Sequence, residues 1–136
     1  MKELFDEIKK ETNLNVYPLT TVSRRIPDYH SRLIIEYQNH LEKYTKSLAK
    51  LEKANVQNHL RNVMGETDIN LMSIFKTKEE KENVLRYHYP EVDALALEVS
   101  LIKNDIQLIE KMIDFLKMLQ NNIRSIIDYE KFRGGE

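Results

Sequence analysis

The stretch VDALALEVSLIKNDIQLIEKMIDFLKMLQNNIRSII, residues 92–127, decides the fold. Apolar side chains recur in it at alternating steps of three and four: Val92, Leu95, Val99, Ile102, Ile106, Ile109, Ile113 and Leu116, then Ile123 and Ile127. Gln120 is the one polar interruption. Such alternation predicts a long helix that seeks another helix. At about 1.5 Å of rise per residue it would be roughly 55 Å long. A compact domain of this chain length has a diameter of roughly 35–40 Å. The expectation is therefore an elongated monomer or copies of the chain that share the seam.

From Leu108 onward the apolar face broadens, with Met112, Phe115, Leu119 and Ile126 flanking the seam. A two-stranded coil needs only its a and d lines, whereas a helix touching several neighbours needs more. The residues expected to build an oligomer are Ile106, Ile109, Met112, Ile113, Phe115, Leu116, Leu119, Ile123, Ile126 and Ile127. The same seam fits, with equal weight, an antiparallel hairpin within one chain, and the two arrangements are compatible.

Upstream, Pro27 suits a first helical turn and Gly65 a position just past a helix end. They predict a second long helix over 27–64, with Ile34, Tyr37, Leu41, Tyr44, Leu48 and Leu51 as its seam. Asn55 and Asn58 take the next seam positions while the apolar stripe moves to Val56, Leu60 and Val63, so a loss of partner or a change of register is expected there. A short amphipathic helix is expected over 2–11, with Leu4, Phe5 and Ile8 on one face. Residues 12–26 read as a connector, because Pro18 and Thr20-Thr21-Val22-Ser23 argue against helix. Residues 65–89 read as a loop and a short helix: 66–76 form a hairpin turn or loop with the apolar cluster Ile69, Leu71, Met72, Ile74 and Phe75. A short helix capped by Thr77 and Glu80 follows it, and Pro90 then opens the last helix over 90–136. The fold class is all-α: one domain of two long and two short helices, assembling through the C-terminal helix.

Composition agrees with a helical chain that carries wide solvated faces: 32% of residues are charged, and only three Gly and three Pro occur among 136. The absence of Cys excludes disulfides and thiolate metal sites. No stretch approaches the ~20 apolar residues of a membrane span. The opening Met1–Glu7 lacks the apolar core of a signal peptide, so a soluble, cytoplasmic protein without membrane contact is expected. No catalytic set stands out. Three glycines cannot build a phosphate-cradling loop, and no H-E-x-x-H occurs. Glu36 and His40 lie one helical turn apart, yet a single such pair is a surface contact more often than a metal ligand set. No enzyme activity, cofactor or metal is expected.

The charge is distributed unevenly. Residues 24–64 hold eight Lys/Arg against four Asp/Glu, while the remainder holds 13 against 18, within a net charge of −1. Lys43, Lys46, Lys50 and Lys53, at steps of three, four and three, form one line facing away from the seam, and Gln57 and Arg61 extend it. Such a line can follow a phosphate backbone without reading bases. It is also what the solvated outer face of any seam-forming helix looks like. Tyr87, His88 and Tyr89 could stack on unpaired bases or pack in a core, whereas Tyr37 and Tyr44 are seam residues and count as core.

The close Asn122-Ile123-Arg124-Ser125-Ile126-Ile127-Asp128-Tyr129-Glu130-Lys131-Phe132-Arg133-Gly134-Gly135 resembles the end of the UvsY-type recombination mediators of T-even-like bacteriophages. Members end in an apolar–basic–apolar helix, an Asp beside an aromatic or Met, a basic residue, Phe, and a small residue before Gly. Asp114-Phe115-Leu116 and the opening Leu4-Phe5-Asp6-Glu7-Ile8-Lys9-Lys10 are similar as well, and the order of elements agrees over essentially the whole chain. The resemblance implies a ring-like homo-oligomer, a hexamer or heptamer, that binds single-stranded DNA in the cytoplasm of an infected bacterium. It would help load the phage RecA-type recombinase onto strands covered by the phage single-strand-binding protein, without catalysis of its own. The family's contact motif Leu-Lys-Ala-Arg-Leu departs here: its Lys and Arg fall on Gln57 and His59, Leu60 matches, and Arg61 stands two places later. The expected DNA contacts are therefore Lys43, Lys46, Lys50, Lys53 and Arg61, with polar help from His59. The alternative is a helical scaffold or adaptor with a coiled-coil interface and no DNA role.

Overall fold

The computed structural model describes residues 1–63, 79 and 90–134, with side chains at all of these except 61–63. Among the described residues the architecture is all-α, with no strand: α1 spans Lys2–Glu11, α2 Leu19–Val63 and α3 Glu91–Arg133. The loop expected over 66–76, the helix capped by Thr77 and the rings of Tyr87, His88 and Tyr89 lie outside the described residues. The chain forms two compact units. Unit 1 comprises Met1–His40 and Asp105–Glu136, and unit 2 comprises Leu41–Asn104.

In unit 1, α1 carries Glu3 in its first turn and Lys9 and Lys10 in its last, both favourable to the helix dipole. Thr12 closes it: its amide and its hydroxyl both donate to the Ile8 carbonyl. A short turn follows, in which Val16 and Tyr17 amides donate to the Asn13 carbonyl and the Asn15 amide to the Asn13 side chain.

The start of α2 corrects the expected boundary. The helix begins at Leu19, with Thr21 and Val22 amides donating to the Pro18 carbonyl, and Pro27 lies inside it. Weak helix propensity over Thr20–Ser23 is overridden by packing, since Val22 and Ile26 are buried in the core. Pro27 leaves one carbonyl without its helical donor, and it sits on an exposed side of the helix where water can reach. Arg25 ties α1 to this turn: its guanidinium donates to the Glu11 carbonyl at 2.8 Å, pairs with the Glu11 carboxylate at 2.9 Å and lies over the Tyr17 ring. Burial raises the Tyr29 phenol above its usual range, and Glu7 and Glu11 add to the effect.

The core of unit 1 joins Phe5 and Ile8 of α1 and Val22, Ile26, Tyr29 and Leu33 of α2 to Ile109, Met112, Ile113, Leu116, Leu119 and Ile123 of α3. Contacts between Tyr37 and Glu110 and between His40 and Asp105 pair rising numbers on α2 with falling numbers on α3. The buried side of α2 here runs Val22, Ile26, Tyr29, Leu33, Tyr37 and His40, in steps of four, three, four, four and three. The expected heptad seam is thereby corrected. Leu41 is exposed, and His40 is buried next to it. A straight α-helix drifts by about 20° per heptad, so steps that average nearer 3.6 hold the inner side better than a strict 3.5 repeat.

Among the described residues, unit 2 has a smaller buried cluster. Leu51, Val92 and Val99 are buried, with Tyr44, Leu48, Leu95 and two alanines packed against them. Asp93 donates its amide to the Pro90 carbonyl, and the acidic Glu91 and Asp93 suit the first turn of α3, as expected for a helix opened by Pro90. The inner side of α2 does not change register. Asn55 and Asn58 are buried, while Val56 and Leu60 face solvent. Among the described residues Asn55 Oδ1 and Asn58 Nδ2 have no hydrogen-bond partner. A buried polar group without a partner costs about 1–3 kcal/mol. Asn58→Leu is therefore expected to raise stability by about that amount in urea unfolding. A loss of stability on this substitution would mean that the amide is satisfied after all.

Candidate nucleic-acid interface

Lys43, Lys46, Lys50 and Lys53 all project from α2 within unit 2, and all four are exposed. At 100° per residue they fall within an arc of about 80°, one turn apart along the axis. Exposed Gln57 continues the line. Arg61 lies on the same arc by its position in α2, and its side chain is outside the described residues. Lys46 is the one lysine of the four with a partner among the described residues, Glu42 at 3.0 Å, with both side chains about two-thirds exposed (70% and 66%). An exposed pair of this kind contributes ~0.2–1 kcal/mol, so a phosphate can displace the carboxylate.

His59 is not part of this line. It is half-buried and lies more than about 120° around the helix from Lys50 and Lys53. The expectation that it assists the lysines is corrected by that spacing. His40, the other histidine considered, is buried. Its Nδ1 lies 2.8 Å from the Glu36 carbonyl and 3.7 Å from the Glu36 carboxylate, and its Nε2 lies 3.8 Å from Asp105. Among the described residues no group of three or more His, Asp or Glu could hold a metal ion. No helix of the described residues is long and apolar enough to cross a membrane. A hollow of about 570 Å³ in unit 1 is lined by Glu3, Glu7 and Glu36 against the single cationic side chain of Arg32 among the described residues. Its carboxylates would repel a phosphate, so it is not a candidate for this site.

The expected assembly residues divide into two groups. Ile106, Ile109, Met112, Ile113, Leu116, Leu119 and Ile123 are buried by the chain's own packing, and Phe115 is half-buried. These cannot also meet a second copy without unpacking the monomer. Ile126 and Ile127 remain exposed, and Leu108, Met118, Tyr129 and Phe132 join them. Leu108, Phe115, Met118, Ile126, Tyr129 and Phe132 occupy one flank of α3, within an arc of about 120°. Reading only the main seam missed Met118, Tyr129 and Phe132. It also missed a row of cations on the other flank of α3, Lys117, Arg124 and Lys131, although their seven-residue spacing was there to be seen.

No family model, no curated protein and no solved structure matches the chain.

Proposed function

We propose that the protein is a non-enzymatic recombination mediator of the UvsY type, acting in the cytoplasm of an infected bacterium. It binds single-stranded DNA along α2 and assembles with copies of itself into a ring. There it helps a RecA-type recombinase onto strands covered by a single-strand-binding protein. In this reading the two long helices are the arms of an antiparallel hairpin. The observation that carries the reading is the line of four exposed lysines, Lys43, Lys46, Lys50 and Lys53, on one face of α2. One such line is weak. Repeated around a ring it becomes polyvalent, because each further contact on a bound strand is intramolecular.

The exposed apolar flank of α3 supports assembly: Phe132 is 81% exposed and Tyr129 62%. A row of large apolar side chains left in water favours a second surface that covers it. Met118→Glu together with Phe132→Glu is expected to lower the native mass by light scattering while leaving the helical circular dichroism unchanged. A wild-type chain that is already monomeric at micromolar concentration would end the ring proposal.

Salt titration of oligonucleotide binding tests the DNA role. Counterion release predicts a log–log slope of about −0.7 per phosphate neutralised on a single strand. No measurable affinity at low salt would overturn it. Assembly without DNA affinity would instead favour a helical scaffold. The Lys46–Glu42 pair speaks for that second reading, since it dilutes the positive charge of the line.

A further inference from the structure

Three hollows in unit 1 join into one groove between the N-terminal part of α2 and the C-terminal half of α3. The first, about 330 Å³, and the second, about 310 Å³, share Ile26 and Gln120. The second and the third, about 350 Å³, share Ser23 and Ile127. Ile26, Leu116, Ile123 and Ile127 give the groove an apolar floor. Lys117, Arg124 and Lys131 stand along its α3 side, all exposed. At 100° per residue they fall within about 40°, in a row that spans roughly 21 Å. Arg24 and His30 stand on the α2 side, and among the described residues Asp128 is the one carboxylate lining it. Among the described residues no ion pair engages Lys117, Arg124 or Lys131.

This row lies on the opposite side of α3 from the exposed apolar flank. A second copy seated on that flank leaves the groove open. An apolar floor beside a row of free cations complements a ligand that is apolar on one side and anionic on the other. Single-stranded nucleic acid fits less well, because among the described residues no aromatic ring lines the groove and base stacking on such rings contributes ~1–3 kcal/mol per base. We propose that the groove docks an acidic amphipathic helix of another protein. Its leucine-like face covers Ile26, Ile123 and Ile127, and its carboxylates meet Lys117, Arg124 and Lys131 at every second turn.

The test uses the full chain and a fluorescein-labelled helical peptide with Leu on one face and Glu on the other, followed by anisotropy. Saturable binding that weakens with salt is expected. The combined variant Lys117→Glu, Arg124→Glu, Lys131→Glu is expected to lose about tenfold or more in affinity. It should gain affinity for the matching Leu/Lys peptide, which the wild type should not bind. That rescue separates a lost contact from a lost fold. Lys43, Lys46, Lys50 and Lys53 changed to Ala should leave peptide binding unchanged, so a failure here and a failure of the DNA reading are told apart. Absent saturation, or equal peptide binding by the charge-reversed chain, overturns the proposal. So does a charge reversal that abolishes oligonucleotide binding while sparing the peptide, which would make the groove a nucleic-acid surface.

Discussion

Ala at Lys43, Lys46, Lys50 and Lys53 together is expected to lower the affinity for a single-stranded oligonucleotide about a hundredfold at low salt, and to make the log–log salt slope shallower by about three. The four side chains share one exposed face of α2, so each can neutralise a phosphate without disturbing a neighbour. The loss should not depend on sequence, since an ammonium at a phosphate carries no base information. Helix α2 should survive the change, because Ala has the highest helix propensity and none of the four is packed. Two further substitutions sharpen the expectation. Glu42→Gln frees Lys46 from its one partner among the described residues and removes a nearby negative charge, so affinity should rise severalfold. His59→Ala should change affinity little, because its ring lies on another side of the helix. An unaltered slope in the four-lysine variant would show that DNA, if bound at all, is held elsewhere.

The long helices were legible in the sequence because their periodicity is written in large aliphatic residues. Val92, Val99, Ile106, Ile109, Ile113, Leu116 and Ile123 read as a seam and are buried as one. The exposed lysine line was legible for the same reason, as the complement of a face. The start of α2 was not legible. Pro18 and local propensity over Thr20–Ser23 argued for a connector, and Pro27 suited a first helical turn. Only the tertiary partners of Val22 and Ile26, supplied by α1 and α3, make the extra turns worth forming. The inner side of α2 was misread where its buried residues are polar. His40 and Ser47 are invisible to an apolar pattern, and neighbouring Leu41 and Leu48 drew the seam one residue on; Asn55 and Asn58 read as seam positions and are buried there, whereas the expected shift of the stripe to Val56 and Leu60 did not occur. The assembly residues were over-assigned because periodicity shows that a face is covered and not by what. Ile113 and Ile123 face the chain's own helices, so Asp at either would unfold unit 1 before it could report on a ring.

Leu116→Ala is expected to cost about 3–5 kcal/mol, and Leu51→Ala only about 1–3 kcal/mol. Leu116 is fully buried in a cluster drawn from three helices, and that density keeps the surroundings from collapsing into the cavity. Among the described residues Leu51, 8% exposed, shares its cluster with Val92 and Val99 as fellow buried residues, and the nearby inner side is made of Ser47, Asn55 and Asn58. Those amides lose less when packing loosens, because opening lets water reach the unpaired Asn55 and Asn58 atoms. Against a typical total of about 5–15 kcal/mol, the Leu116 substitution alone can bring unit 1 near unfolding. The same inequality should appear in the unmutated protein. Amides of residues 41–58 and 91–104 should exchange with solvent deuterium faster than those of 22–40 and 106–123, since local opening is easiest where few apolar contacts must be broken. Equal protection in the two units, or stronger protection in unit 2, would mean that the polar inner side is held by interactions worth as much as the aliphatic core of unit 1. In that case Asn58→Leu should destabilise the chain, and the two measurements would have to agree.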